Sequence, residues 1–230
     1  MATNYLKMGE IGRGSWAVVY KARWNGQLVA VKQLHKALFN RETSSDASKP
    51  VELFEKECRL LQNSNHANIV KLLAFDLNSS PPVLITELLS LDLEKYIAKL
   101  LPGKVPFKGT VSIMSDVAEG LNYLHQRNPP IVHRDLASKN VLLTETGRAK
   151  IADVGLAKVV TSETAMMYAS PAPGTPAYAA PETFPNYSQD LPQYGMKIDI
   201  FSFGIILMEV INGKPPSPPM DPPFTKCEYS

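Results

Sequence analysis

The sequence predicts an α+β fold in which a small, β-rich lobe precedes a larger, mainly helical lobe. Short β-branched runs flank Asn25-Gly26, the strongest short-range signal for a hairpin. From Leu91 onward this pattern gives way to apolar residues that recur at helical spacing. The clearest helical stripe consists of Val111, Met114, Val117, Ala118, Leu121 and Leu124.

The elements of the first lobe follow in chain order. Strands are predicted around Val18–Tyr20 and Leu28–Val31, and the polar, serine-rich stretch Thr43–Pro50 is typical of a loop. Ile69–Phe75 and Val83–Leu88 predict two further, buried strands. Between the loop and these strands a helix is predicted by three apolar residues at helical spacing, Phe54, Cys58 and Leu61.

The second lobe continues with a hairpin and a long apolar helix. Val141–Leu143 and Lys150–Ala152 predict the two strands of the hairpin, and Ile198–Ile211 predicts a helix enclosed in a core. The proline-rich run that begins at Lys214 favours an extended conformation and cannot continue that helix. We therefore expect a β-rich lobe, a helical lobe and a proline-rich tail, at residues 1–87, 88–213 and 214–230.

Composition and charge narrow the class of protein. The 230 residues are 44% hydrophobic, as in ordinary globular proteins, and the net charge of +2 does not favour a nucleic-acid binder. The only cysteines are Cys58 and Cys227, which indicates a reducing compartment rather than a disulfide framework. Met1 leads into polar sequence without a signal-peptide pattern, and the longest apolar run is shorter than the ~20 residues of a membrane-spanning helix. We expect a cytoplasmic protein that binds no nucleic acid and does not insert into membranes.

Gly12 and Gly14 form a glycine-rich turn between two predicted strands. Glycine lets backbone N–H groups approach phosphates closely, where a Cβ atom would intrude. A tight hairpin without a ligand explains the same turn equally well. A dinucleotide-binding fold does not, because its glycine motif opens a helix, whereas another hairpin follows here.

Lys32 and Glu57 are predicted to form an ion pair. Alternation along the strand places Ala30 and Lys32 on one face, over which the glycine-rich turn folds. Glu57 lies on the apolar side of the predicted helix, where an unpaired carboxylate is costly. The pair would hold the ammonium group against phosphates, and an exposed strand lysine is the ordinary alternative.

The segment His133–Asn140, with the sequence HRDLASKN, carries the strongest chemical signal. Phosphoryl transfer needs a carboxylate to accept the hydroxyl proton, oxygen ligands for Mg²⁺ and cations near the moving charge. Asp135 provides a carboxylate, Lys139 a cation and Asn140 an amide oxygen. Asp153 follows a predicted strand and adds an anionic metal ligand.

These motifs run in order from Ile11 to Gly213, and together they resemble the protein kinase superfamily. The resemblance implies a bilobal, protein-kinase-like fold, with a small antiparallel β-rich N-lobe that contains one helix and a mainly α-helical C-lobe. It also implies an enzyme that uses ATP and Mg²⁺ to phosphorylate a hydroxyl group of a protein substrate.

The resemblance also implies a role for each site residue. Asp135 would be the catalytic base, Asn140 and Asp153 would hold Mg²⁺, and the buried Asp199 would anchor the catalytic loop. The catalytic set is Asp135, Lys139, Lys32, Glu57 and Thr175. The nucleotide-binding set is Ile11, Gly12, Gly14, Val19, Ala30, Lys32, Thr86, Glu87, Leu89 and Leu142.

Within the nucleotide-binding set, Ala30 and Leu142 would sandwich the adenine, Thr86 would be the gatekeeper, and Glu87 to Leu89 would form the hinge. The regulatory spine would consist of Leu61, Leu72, His133 and Val154. Three positions depart from the family pattern. Ala17 replaces a glycine, Val154 a phenylalanine and Phe201 a tryptophan, and we expect all three changes to leave the chemistry intact.

The substrate class depends on two conflicting features. Ala137 followed by Lys139 resembles tyrosine kinases, whereas Gly174–Tyr178 resembles the serine/threonine-kinase loop whose threonine braces the catalytic aspartate. The mixture resembles the tyrosine-kinase-like branch, which favours serine or threonine as the acceptor and leaves tyrosine as the alternative.

Three alternatives to an active protein kinase remain: a pseudokinase that serves as a binding or scaffold module, a fragment of a longer kinase, and a small-molecule kinase. The chain lacks the later helices of the family and the arginine that pairs with Glu182, so we expect a loosely held lower lobe. We also expect an upstream kinase to create a phosphate that Arg134 binds. The candidate acceptors are Thr161, Ser162, Thr164, Tyr168 and Ser170.

Overall fold

The computed structural model divides the chain into two compact units, Met1–Ser90 and Leu91–Ser230. The residues that it describes are 4–14, 16–36, 48–100, 105–159, 167–168, 175–183 and 193–216. Within these ranges, no helix is both long enough and apolar enough to cross a membrane.

A five-stranded antiparallel sheet dominates the first unit, with the strand order β1-β2-β3-β5-β4. The predicted hairpin is confirmed, because Asn25 and Gly26 join two strands with φ angles of 48° and 81°, which suit this dipeptide. The strands are β1 (Tyr5–Arg13), β2 (Ala17–Trp24), β3 (Gln27–Leu34), β4 (Leu72–Asp76) and β5 (Val83–Glu87).

The two faces of this sheet differ in burial. One face carries a fully buried cluster that consists of Ala22, Val29, Val31, Val83 and Ile85. Register and alternation place Val19, Lys32 and Ala30 on the opposite face, with Thr86 beside Ala30. The strand pairing therefore brings four of the predicted site residues onto one surface.

The predicted helix of the first unit is α1 (Ser48–Gln62). It begins inside the stretch that was predicted as a loop, so that prediction was wrong at Ser48–Pro50, because proline is tolerated in the first turn of a helix. Its three predicted apolar residues, Phe54, Cys58 and Leu61, are all buried. The strand predicted from Ile69 begins only at Leu72, because the N–H group of Ile69 donates to the carbonyl of His66 in a turn. Burial raises the pKa of the Cys58 thiol to about 12, so this cysteine is an inert packing residue.

The described residues of the second unit form three helices and several short strands. The helices are α2 (Leu93–Lys99), α3 (Phe107–His125) and α4 (Lys197–Asn212). The strands are β6 (Leu91–Asp92), β7 (Ile131–Val132), β8 (Val141–Leu143), β9 (Ala149–Ile151), β10 (Lys158–Val159), β11 (Met167–Tyr168) and β12 (Gln193–Tyr194). They pair as β6-β8-β9, β7-β10 and β11-β12, and β8 and β9 form the predicted hairpin.

The apolar stripe of α3 is buried over most of its length. Met114, Val117, Leu121 and Leu124 are buried, as predicted. Val111 and Ala118 are exposed, so the stripe was wrong at these two positions. Both residues line an apolar groove of 750 Å³, together with Phe107, Met114, Phe203, Leu207 and Ile211.

Helix α4 is buried on one side only. Ile198, Ile206 and Val210 are buried, whereas Ile200, Phe201, Met208 and Ile211 are exposed. Among the described residues, part of its apolar surface therefore meets water, although its composition is typical of a helix enclosed in a core. The helix ends at Gly213, whose N–H group donates to the Glu209 carbonyl at 2.8 Å and whose φ of 66° suits glycine.

Candidate active site

In the first unit, Lys32 and Glu57 form a two-pronged ion pair. The Lys32 ammonium nitrogen lies 3.0 Å from Oε1 and 2.8 Å from Oε2 of Glu57. The Glu57 side chain is only 5% exposed, whereas that of Lys32 is 22% exposed. A buried carboxylate of this kind needs a paired cation, so Glu57 holds Lys32 on one face of the sheet.

The glycine-rich turn joins β1 to β2. Gly12 lies opposite Val19, and the N–H group of Gly14 donates to the carbonyl of Ala17 at 2.8 Å. A Cβ atom added at either glycine would meet its nearest neighbour at 3.7 Å, an ordinary contact, and neither glycine has a φ in the left-handed region. The packing of the chain therefore does not require glycine here, which fits a turn that leaves room for a ligand.

The predicted hinge follows β5. Glu87 turns its side chain back to the chain, since its Oε1 accepts from the Lys71 N–H at 2.8 Å. Its own N–H group donates to the Lys71 carbonyl at 3.1 Å. Thr86 and Leu89 are half-buried, and Ile11 is exposed.

In the second unit, two side chains fix the Asp135 carboxylate. The Thr175 hydroxyl donates to Oδ1 at 2.8 Å, and Nδ2 of Asn140 donates to Oδ2 at 3.2 Å. The same amide nitrogen donates to the Asp135 carbonyl at 2.7 Å. Each carboxylate oxygen keeps a lone pair for a further donor.

Asp199 anchors the backbone that carries Asp135. Its Oδ2 accepts from the His133 N–H at 2.8 Å, and its Oδ1 accepts from the Arg134 N–H at 2.9 Å. These bonds hold Arg134 at a φ of 71°, a left-handed conformation that is strained for a residue other than glycine. The imidazole of His125 donates to Oδ2 at 2.7 Å and was missed by the sequence analysis. Its position at the end of the α3 stripe was the available signal.

The two predicted Mg²⁺ ligands are linked through the backbone. The Ala152 N–H donates to the Asn140 carbonyl at 2.9 Å, and His133 donates from Nε2 to the Ala152 carbonyl at 3.1 Å. Asp153 follows directly, is exposed and has a φ of 59°. Because both hydrogen bonds to Asp135 use the amide nitrogen of Asn140, its side-chain oxygen remains for a cation, and carboxylate and amide oxygens suit Mg²⁺.

Comparison with known proteins identifies the family. The profile of the protein kinase domain family matches residues 5–224. The chain belongs to this family. Its sequence is 37% identical over 205 residues to the serine/threonine-protein kinase CTR1 of Arabidopsis thaliana, which covers 87% of this chain and 23% of CTR1.

Two further relatives of this kinase domain differ in name and length. The dual specificity protein kinase shkC of Dictyostelium discoideum is 34% identical over 209 residues, or 90% of this chain and 38% of shkC. A protein of Acanthamoeba polyphaga mimivirus, named as a serine/threonine-protein kinase/receptor, is 33% identical over 216 residues, or 93% of this chain. The kinase domain spans only 12% of that mimivirus relative.

A buried polar cluster of the kinase domain was also missed by the sequence analysis. The Tyr178 hydroxyl donates to Oε2 of Glu209 at 2.8 Å, Ser138 donates to Oε1 at 3.1 Å, and the two hydroxyl oxygens lie 2.9 Å apart. Burial raises the pKa of Glu209, and burial also raises the pKa of Tyr178. The available sequence signal was a glutamate within a largely apolar helix.

The remaining predicted site residues fall in different places. Lys139 is exposed beside Asn140, and Leu142 is half-buried in β8. His133 and Val154 are buried, and Arg134 is half-buried. Tyr168 lies in β11, whereas Thr161, Ser162, Thr164 and Ser170 lie outside the described residues.

Proposed function

We propose that this kinase domain transfers the γ-phosphoryl group of ATP to a serine or threonine hydroxyl of a protein substrate. The observation that carries the proposal is the Asp135 carboxylate, which Thr175 and Asn140 hold between them. The sequence around Thr175 is the one that resembles serine/threonine kinases. Its hydroxyl makes the bracing contact which that resemblance implies.

Asp135 supplies the base in this proposal. The substrate hydroxyl oxygen bonds to the γ-phosphorus, the bond from that phosphorus to the bridging oxygen breaks, and ADP leaves. The hydroxyl proton passes to the Asp135 carboxylate. Asp199 fixes the loop and Thr175 fixes the carboxylate, so this group is oriented before a substrate arrives.

Each unit offers residues of the kinds that nucleotide binding needs. Lys32, fixed by Glu57, would pair with ATP phosphates, and the turn of Gly12 and Gly14 leaves room for them to approach the backbone. Asn140 and Asp153 would hold Mg²⁺ through oxygen atoms. When bound, this ion neutralises charge on the phosphates, and Lys139 adds a cation from the catalytic loop.

Incorporation of labelled phosphate into a mixed protein substrate tests the proposal. Phosphoamino-acid analysis distinguishes serine and threonine from tyrosine, and Asp135→Asn and Asp153→Ala are the inactive controls. Label on serine or threonine, lost in both variants, is the expected result. Label on tyrosine alone would contradict the acceptor class. ATP binding without transfer would instead support the pseudokinase alternative.

A further inference from the structure

His35 links the end of β3 to the glycine-rich turn through two hydrogen bonds. Its backbone N–H donates to the Trp16 carbonyl at 2.9 Å, which extends the ladder between β2 and β3. Its ring atom Nε2 lies 3.0 Å from the Gly14 carbonyl oxygen. Any residue except proline could make the first bond, but few side chains could make the second.

The second bond defines the chemistry of the link. A carbonyl oxygen only accepts, so Nε2 must carry the proton, and it does so in the charged ring and in one neutral tautomer. The link therefore survives either charge state of His35. Because the acceptor is the Gly14 carbonyl, the bond holds the backbone of the glycine-rich turn at Gly14.

We propose that His35 is a positioning residue that holds the glycine-rich turn in its phosphate-binding conformation. Strand β3, which ends directly before His35, also carries Lys32. The strand would therefore set the positions of both the Lys32 ammonium group and the turn. This inference rests on the proposed use of ATP. It adds a residue that was in none of the predicted catalytic or nucleotide-binding sets.

A set of three variants tests the link. His35→Leu removes the side-chain donor, and His35→Gln restores an N–H donor at a similar reach. Lys36→Leu is the matched control, because Lys36 is an exposed neighbour of His35. Affinity for ATP and for adenosine is measured by calorimetry on the whole chain, since only ATP carries phosphates for the turn to bind.

We expect His35→Leu to weaken ATP binding by about 3- to 10-fold, the effect of one hydrogen bond, and to leave adenosine binding unchanged. His35→Gln should recover most of the lost affinity. In kinetic assays His35→Leu should raise KM for ATP without raising KM for the protein substrate. Equal losses for ATP and adenosine, or no recovery with glutamine, would overturn the proposal.

Hydrogen exchange separates this inference from the proposed function. The Gly14 amide, which donates to the Ala17 carbonyl, should exchange about 3- to 10-fold faster in His35→Leu than in the parent or in Lys36→Leu. This measurement needs neither nucleotide nor turnover. A parent protein that fails to transfer phosphate would contradict the proposed function alone, whereas unchanged Gly14 exchange would contradict the link.

Discussion

At the scale of single residues, two buried carboxylates fix the positions of the groups that they bind. Glu57 is nearly inaccessible, so its carboxylate must keep Lys32 in place or bear the cost of an unpaired charge. Asp199 does the same with backbone N–H groups, and it holds Arg134 in a conformation that arginine alone would avoid. In both cases a buried carboxylate fixes the position of a neighbouring residue.

The first prediction concerns the charge on Lys32. We expect Lys32→Met to lower kcat by about 10²-fold or more while changing KM for ATP far less, because the lost cation stabilises charge that develops during transfer. Steady-state kinetics measure both constants. Lys32→Arg is the control that keeps a cation beside Glu57. A raised KM with unchanged kcat would contradict the role in transfer.

The second prediction separates the base from the metal ligand. Asp135→Asn should lower kcat by ~10²–10⁴-fold, the usual contribution of a positioned base. Asp153→Asn should instead shift the Mg²⁺ concentration needed for nucleotide binding, because it removes an anionic oxygen. Titration of Mg²⁺ against ATP binding distinguishes the two. Identical Mg²⁺ dependence in both variants and the parent would show that this division of roles is wrong.

Site residues could be predicted where the periodicity of a single strand or helix decides the face on which a residue lies. Lys32 and Glu57 followed from strand alternation and helical spacing, and the structure brings them together. The cluster of Ser138, Tyr178 and Glu209 could not be predicted in this way. Its members lie 31 to 71 residues apart, and only the fold of the second unit joins them.

At the scale of elements, α4 shows that one helix can organise several segments. Along its buried side, Asp199 binds the catalytic loop, Ser202 donates to the Tyr178 carbonyl at 2.8 Å, and Glu209 binds the Tyr178 hydroxyl. The polar residues on this helix therefore connect the catalytic loop with the segment around Tyr178. Sequence patterns predicted the helix but gave an incomplete view of its faces, because apolar residues continue onto the exposed side.

The third prediction concerns the protonation of Glu209. Three contacts join the oxygens of Ser138, Tyr178 and Glu209, but the two hydroxyls carry only two protons. If Glu209 carries a proton and donates it to Tyr178, the Tyr178 proton can pass to the contact with Ser138 and each of the three contacts has one proton, in agreement with the raised pKa of Glu209. A glutamine would supply that proton permanently through its N–H group, so we expect Glu209→Gln to preserve the cluster.

The sign of the pH effect follows from the raised pKa. Below the ordinary pKa of glutamate, Glu209 is protonated in both the folded and the unfolded state, and its contribution to the stability of the fold is fully present. As pH rises through the raised pKa of the folded state, the unfolded state has already released its proton, so the fold loses stability. The Tm of Glu209→Gln relative to the parent should therefore increase with pH, as measured by thermal melts across this window.

Glu209→Ala is the control for this effect. It removes the partner of two buried hydroxyls and should destabilise the fold by about 1–3 kcal/mol at every pH. A Tm difference between Glu209→Gln and the parent that does not change with pH would contradict a raised pKa. Loss of stability in Glu209→Gln as large as in Glu209→Ala would contradict the closed ring.

At the scale of the whole molecule, the class of fold was predictable but the extent of its burial was not. Helices α1, α3 and α4 and the hairpin of β2 and β3 formed where apolar spacing and the Asn25-Gly26 signal predicted them. Burial also depends on what covers each face, which a local pattern does not record. Glu182 is an example, because it is exposed and its carboxylate remains in water, so the expected cost of a missing arginine partner does not arise here.

The described residues leave an apolar groove between α3 and α4. The groove has a volume of 750 Å³. Val111, which is 52% exposed, and Ile211, which is 48% exposed, both line it. Exposed apolar patches bind hydrophobic dyes and promote association between protein molecules. We expect the double variant Val111→Lys/Ile211→Lys to bind less of the dye anilinonaphthalene sulfonate than the parent and to remain monomeric at higher concentration.

Leu6→Lys is the matched control, since Leu6 is an exposed apolar residue of the first unit, 68% exposed, and lies outside the groove. Dye fluorescence and light scattering compare the three proteins at equal concentration, and circular dichroism checks that each keeps its helices. If the groove causes the association, the lysine pair in the groove lowers both signals and Leu6→Lys lowers neither. Equal reductions in the two variants would show that added charge, rather than the groove, is responsible.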